Sequence, residues 1–162
     1  MDSAVQQTLN KILFVCLGNI CRSPAAEGIL LHLLQKHPRK DTVYVESCGL
    51  GDWHVGSLPD RRMCEAALSR GIPLTTRAQA FKPSDLDFYD YILAADHSVL
   101  ETLQSFATTP AQLAKISLMT RFSKTYPGAE IPDPYYKGPG AFEEVLDMLE
   151  DCCYGLLNAL QK

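Results

Sequence analysis

The stretch that most narrows what this chain can become runs from Lys11 to Lys36: KILFV, then CLGNICRSP, then AAEGILLHLLQK. A short apolar run bounded by a glycine-containing loop reads as a strand buried on both faces. Ser23 can cap a helix and Pro24 suits a first helical position. The following residues carry a helix that stops before Pro38. A buried strand thus enters a tight loop that opens directly onto a helix N-terminus. A cysteine stands at one end of that loop and an arginine at the other.

The same grammar recurs along the chain. Thr42 to Ser47 reads as a second strand, followed by a glycine-rich loop over 48–59. Asp60 opens a helix that Gly71 ends. Tyr91 to Ala95 is a third strand and Ser98 to Phe106 a helix, with a fourth strand candidate at Lys115 to Leu118. Residues 120–140 show no period and read as a long loop. Phe142, Val145, Leu146, Leu149, Cys152, Cys153, Leu156, Leu157 and Leu160 mark a long amphipathic C-terminal helix. Strands alternating with helices imply an α/β domain with a parallel sheet and helices on both faces. Ligands then sit beyond the carboxyl ends of the strands, where CLGNICRS lies.

Composition excludes several classes. The 162 residues fit one domain, and a net charge of −4 gives no reason to expect a nucleic-acid partner. No apolar stretch reaches membrane-spanning length, and MDSAVQQTLN lacks the regions of a signal peptide, so a cytoplasmic protein with no membrane partner is expected. The six cysteines then read as reduced thiols. They include no C-x2-C pair, which argues against a structural zinc site. Residues 1–10 are expected to be a flexible N-terminal segment, with the domain spanning 11–162.

The chemistry follows from the loop. From Leu17 through Gly18, Asn19, Ile20 and Cys21 to Arg22 and Ser23, backbone N–H groups can converge on one centre, helped by the helix dipole. Gly18 removes a side chain where the backbone must bend or approach a ligand. Asn19 and Ser23 can brace the loop, and Arg22 offers a planar fork for two phosphate oxygens. A thiolate of Cys16 at the base is placed for in-line attack on phosphorus. A Walker-type loop would need a Gly-Lys-Ser/Thr ending, which is missing. Asp133, in IPDPYY, is a candidate proton donor, although an aspartate before proline is also a common turn residue. Trp53, Tyr135 and Tyr136 could wall an aryl ring. Asp96, ending YILAAD, either orients Arg22 or caps the next helix. Cys48 and the Cys152–Cys153 pair read as structural, and His32 and His54 as surface or packing residues.

With these motifs in place, the chain resembles the low-molecular-weight protein tyrosine phosphatases. VCLGNICRSP is similar to that family's nucleophile loop, and DPYY at 133–136 to its general-acid loop. WHVG, LPDRR, RGI and DYILAAD lie in the family's order and spacing. The resemblance implies a four-stranded parallel sheet, catalysis without metal or cofactor, and a cysteinyl-phosphate intermediate. It implies Cys16 as nucleophile, Arg22 as phosphate ligand, Asp133 as general acid, an aromatic at Trp53 on the pocket rim, and a supporting role for Asp96. Phosphotyrosine-containing proteins become the expected substrates, with inorganic phosphate as product and inhibitor.

Three relatives in chemistry compete. Arsenate reductases of this fold need relay cysteines in a mobile segment after mid-chain, yet no cysteine stands between Cys64 and Cys152. Protein-arginine phosphatases resemble CTGNTCRS, with threonine where this chain has Ile20; the isoleucine favours an aryl group. A non-catalytic phosphotyrosine-binding module would tolerate loss of Cys16 or Asp133, and both are present. Cys21 is expected to pack within the loop, and to act as the redox partner that traps oxidised Cys16 as a disulfide.

Overall fold

The structure is a computed structural model and describes residues 9–160. The expected flexible segment lies outside the described residues except for its last two positions, and Asn10 already pairs with Val43. Four parallel strands form one sheet in the order β2-β1-β3-β4: β1 (Asn10–Cys16), β2 (Val43–Gly49), β3 (Tyr91–Ala94) and β4 (Ile116–Leu118). Among the described residues, six α-helices connect or follow them: α1 (Arg22–Leu34), α2 (Arg61–Leu68), α3 (Asp85–Phe88), α4 (His97–Phe106), α5 (Pro110–Ala114) and α6 (Pro139–Leu160). No helix among the described residues is long and apolar enough to cross a membrane.

The apolar run of β1 is continuous because both sheet faces are covered. Ile12 and Phe14 enter one core with residues of α1 and α6, whereas Leu13 and Val15 enter a second with Val99 and Leu103 of α4. Cys16 keeps the alternation and falls on the α1–α6 side, 3% exposed. Every apolar position expected of the C-terminal helix is buried on α6, and Cys152 and Cys153 are core residues. That helix begins three residues before Phe142, at Pro139.

Four short elements went unread in the sequence. Residues 40–42 and 119–122 form 3-10 turns, and α3 and α5 hold four and five residues. None is long enough to show a helical period. The first helix also starts differently from expectation. Its N-cap is Cys21 rather than Ser23, Pro24 is its third residue, and it ends at Leu34.

Chain order and strand order together position the site. From β1 the chain crosses to β2 on one side, and β3 lies on the other side of β1. Such a reversal opens a crevice at the carboxyl ends of the two central strands. The loop after β1 and the second residue after β3 meet there: Arg22 Nη1 donates to Asp96 Oδ2 at 2.7 Å across the switch point.

Candidate active site

The loop between β1 and α1 is held by its carbonyls. Cys16 O accepts from Leu50 N–H, Leu17 O from Gly51 N–H, Ile20 O from Asp60 N–H and Cys21 O from Ala25 N–H, at 2.7–3.2 Å. These bonds occupy four of the loop's carbonyls. Helix α1 has no side-chain cap and no acid in its first turn. An uncapped N-terminus of this kind presents orphan N–H donors and the positive dipole end to an anion.

The bend falls at Asn19, not at Gly18. Asn19 has φ of 57°, a left-handed conformation that asparagine tolerates. Its side chain is satisfied at both ends. Oδ1 accepts from Gln79 N–H at 2.9 Å, while Nδ2 donates to Ser23 Oγ at 2.7 Å and to Ser47 Oγ at 3.0 Å. Because Nδ2 only donates, both hydroxyls must spend a lone pair on it and point their protons elsewhere. Ser47 donates to Glu27 Oε1 at 2.5 Å. Ser23 is left to donate to Cys16 Sγ at 3.0 Å or to Cys48 O at 3.2 Å. Asn19 N–H also points at the sulfur, at 3.3 Å. The sulfur thus sits in a polar socket beneath the loop, and Ser23 serves that socket instead of capping the helix.

Two glycines fit the loop to its surroundings. A Cβ on Gly49, at the end of β2, would lie 2.9 Å from Leu17 O, Gly18 C and Asn19 N. A Cβ on Gly18 would lie 2.9 Å from His54 Cδ2, so Gly18 serves the approach of a neighbour and not the bend.

Arg22 is 3% exposed and anchored through Nη1, which donates to Asp96 and to Ile131 O at 2.9 Å. Nη2 faces Asp133 Oδ2 at 3.9 Å. Asp96 serves both of its expected roles: Oδ2 takes Arg22 and Oδ1 caps α4 through Val99 N–H at 2.8 Å. Burial pushes the Asp96 carboxyl up, but the Val99 N–H and Arg22 outweigh it and hold it below the ordinary aspartate value.

Above the sulfur opens a cleft of about 330 Å³ lined by residues 16–18 and 20–22, with Trp53, His54, Asp133, Tyr135 and Tyr136 on its walls. Asn19 and Ser23 support it from below and Asp96 from behind. Every site residue expected from the sequence therefore converges here. Trp53 is 61% exposed and Tyr136 is 93% exposed. Tyr135 is partly buried and meets Tyr136 edge to face. Burial, then Asp60, Cys16 and Asp133, push the Cys21 thiol up.

Sequence reasoning missed four residues. His54, expected as surface or packing, lines the cleft beside Trp53. Ser47, Gln79 and Glu27 form the support under Asn19. Glu27 left one trace, an acid among apolar residues in AAEGILL. Burial raises the Glu27 carboxyl above its ordinary value, although hydrogen bonds from Ser47 and Thr76 act the other way. Among the described residues, no group of three His, Cys, Asp or Glu side chains could hold a metal ion.

Comparison with known proteins agrees with this geometry. The sequence model of the low molecular weight phosphotyrosine protein phosphatases matches residues 11–162. The low molecular weight protein-tyrosine-phosphatase YfkJ of Bacillus subtilis is 37% identical over 152 residues, covering 93% of this chain and 96% of its own. The low molecular weight phosphotyrosine protein phosphatase of Sus scrofa is 33% identical over 159 residues, covering 96% and 99%. Among solved structures, a protein tyrosine phosphatase from Entamoeba histolytica superposes with a TM-score of 0.89 at 38% identity, covering 94% and 97%. A Drosophila arginine phosphatase gives 0.84 at 34%, covering 94% and 98%. The chain belongs to the low molecular weight phosphotyrosine protein phosphatase family.

Proposed function

We propose that the protein hydrolyses phosphotyrosine and other aryl phosphate monoesters in two displacements at Cys16. The observation that carries this reading is the placement of Cys16 Sγ in a donor-lined socket at the base of a cleft that Asp133 also lines. The phosphoryl oxygens take the loop N–H groups and the free edge of Arg22, whose other edge Asp96 and Ile131 O hold in place.

In the first step the Cys16 thiolate attacks phosphorus and the bond to the aryl oxygen breaks. Asp133, entering as the carboxylic acid, gives its proton to that oxygen. In the second step water attacks the cysteinyl phosphate, Asp133 takes the proton released, and Cys16 departs as the thiolate. Inorganic phosphate is the product, and it inhibits by occupying the same donors. Ser23 can turn its proton from Cys48 O to the sulfur whenever the sulfur carries charge.

The walls favour an aryl group. Ile20, Trp53 and Tyr135 line the cleft, and a phosphoserine side chain is too short to reach them. The similarity to the Drosophila arginine phosphatase makes phosphoarginine the competing substrate. Ile20 argues against it, because an apolar wall leaves a guanidinium unpaired. Phosphotyrosine-bearing proteins are accordingly our reading of the substrates, and the cytoplasm our reading of the location.

Cys16→Ser tests the core of this proposal. Turnover of p-nitrophenyl phosphate in EDTA should vanish while phosphate binding by calorimetry persists, because the cradle and Arg22 remain. Mass spectrometry of the rapidly quenched parent should find phosphate on Cys16. Near-parental turnover by the serine variant would overturn the assignment. A panel of phosphotyrosine, phosphoserine and phosphoarginine peptides should rank phosphotyrosine first.

A further inference from the structure

We infer that Arg62 is a positioning residue for the acid loop, a role that rests on the phosphatase reading above. Past Ile131 that loop buries Pro134 but has few hydrogen bonds of its own. Ile131 N–H donates to Ala95 O at 2.8 Å, but the hydrogen bonds of residues 132–137 are local: Tyr135 N–H to Asp133 Oδ1 at 3.1 Å, and Lys137 N–H to Pro134 O at 3.0 Å. Beyond these, Asp133 only approaches Arg22 at 3.9 Å. With Pro134 buried beneath it, the Asp133 carboxylate still needs a further contact to fix its direction in the cleft it shares with Cys16.

Arg62 is placed to do so. It lies in the first turn of α2, where Asp60 is the N-cap and accepts Arg62 N–H at Oδ1, 2.8 Å. The same carboxylate takes the side chain of Arg62 through Nε at 3.1 Å and Nη2 at 2.9 Å. Two hydrogen bonds fix the plane of the guanidinium, which a lysine could not do. So held, its central carbon lies 5.3 Å from the ring centroid of Tyr135 and 4.8 Å from that of Phe142 at the start of α6. A cation over an aromatic ring is attracted to the face of that ring.

The contact reaches the chemistry in two bonds. Arg62 restrains the Tyr135 ring, and Tyr135 N–H holds Asp133 Oδ1. In the other direction, Asp60 N–H donates to Ile20 O in the cradle at 2.7 Å. The Asp60–Arg62 pair therefore references the acid loop to the phosphate loop, two segments more than a hundred residues apart. Without it the cradle keeps its own bonds, whereas the acid loop loses its aromatic anchor.

The test compares leaving groups. Phenyl phosphate needs its leaving oxygen protonated and p-nitrophenyl phosphate needs this far less, so misplacement of Asp133 weighs on the former. For Arg62→Ala, kcat/KM should fall about tenfold on phenyl phosphate and at most about threefold on p-nitrophenyl phosphate, with the phosphate inhibition constant unchanged. Arg62→Lys should recover part of the loss. Asp60→Asn keeps a capping side chain and the backbone donor to Ile20 but loosens the guanidinium, and should shift the same ratio by less. Equal losses on both substrates, or no loss, would overturn the positioning role and leave Arg62 as support for α2 alone. Failure of the parent on both substrates would instead overturn the phosphatase reading itself.

Discussion

The two halves of the site are built in opposite ways. The cradle after β1 is over-determined: Asn19 and Arg22 are each 3% exposed, and the Asn19 side chain alone makes three hydrogen bonds to other elements. The acid loop is under-determined, with the Asp133 side chain 47% exposed and hydrogen bonds that stay local after Ile131. Under the proposed function the division has a physical reason. Donors aimed at a developing charge act without reorganisation only if they are already fixed, so the cradle must be rigid before substrate arrives. A proton donor must admit a large aryl group and then close on its oxygen, which requires a looser support.

Damage to the two regions should therefore look different. Asp133→Ala should lower kcat/KM on phenyl phosphate by about 10²-fold or more, with a smaller loss on p-nitrophenyl phosphate, because only the proton transfer is removed. Thermal stability and phosphate affinity should stay near parental values. Asn19→Ala should reverse the pattern. It removes the donor to Ser23 and Ser47, leaves the Gln79 N–H without its acceptor and puts alanine at a φ of 57°. A stability loss of roughly 3 kcal/mol is expected, together with weaker phosphate binding. Urea melts and phosphate titrations of both variants check the contrast. A stable Asn19→Ala protein with parental phosphate affinity would break it.

The same division explains what could be read from the sequence. Strands β1 and β3, helix α6 and the loop itself were legible because apolar runs and helical periods follow directly from burial. The shared cleft of Cys16, Arg22 and Asp133 was expected from the family resemblance, since an aspartate before proline is by itself as readily a turn residue. The socket beneath was not. Ser23 fits a helix cap as well as a sulfur ligand, and only the direction of Asn19 Nδ2 decides between them. Gly18 carries the usual mark of a left-handed bend, yet Asn19 takes that conformation. Ser47 and Gln79 come from a strand end and a distant loop, so no spacing along the chain joins them to residue 19.

A smaller effect concerns the second cysteine of the cradle. Cys21 is buried and its thiol is pushed up by burial and nearby acids, so Cys16 should react with peroxide first. Peroxide should convert the Cys16 thiolate to a sulfenic acid. The Cys21 thiol should then attack that sulfur, with water leaving, to form a disulfide that dithiothreitol can reduce. Bound phosphate should slow the inactivation by covering the sulfur. Cys21→Ser should be inactivated as fast as the parent but recover less activity with dithiothreitol. Equal recovery, and no Cys16–Cys21 bridge by mass spectrometry, would leave Cys21 as a packing residue only.

The smallest expected effect lies beneath the cradle, at Glu27. This carboxyl is 5% exposed and receives Ser47 and Thr76 hydroxyls, with no cation among its hydrogen-bond partners. Burial raises it above the ordinary glutamate value of 4.5, so the folded chain keeps a proton that the unfolded chain has lost. Its stabilising contribution is complete below pH 4.5 and is lost as the pH rises through the folded value. Asp96 has the opposite sign: its carboxyl is held below the ordinary 3.8, so its contribution is lost only as the pH falls through that lowered value. Glu27→Gln keeps an oxygen to accept from Ser47 and cannot ionise. Its melting temperature should decline less than the parent's between pH 5 and 9, while both proteins share the same acid limb, to which Asp96 and the other carboxyls held below their ordinary values, Asp60, Glu130 and Asp151, contribute. Parallel curves on the alkaline side would mean that Glu27 ionises without cost and that the socket under Asn19 is less sealed than its hydrogen bonds imply.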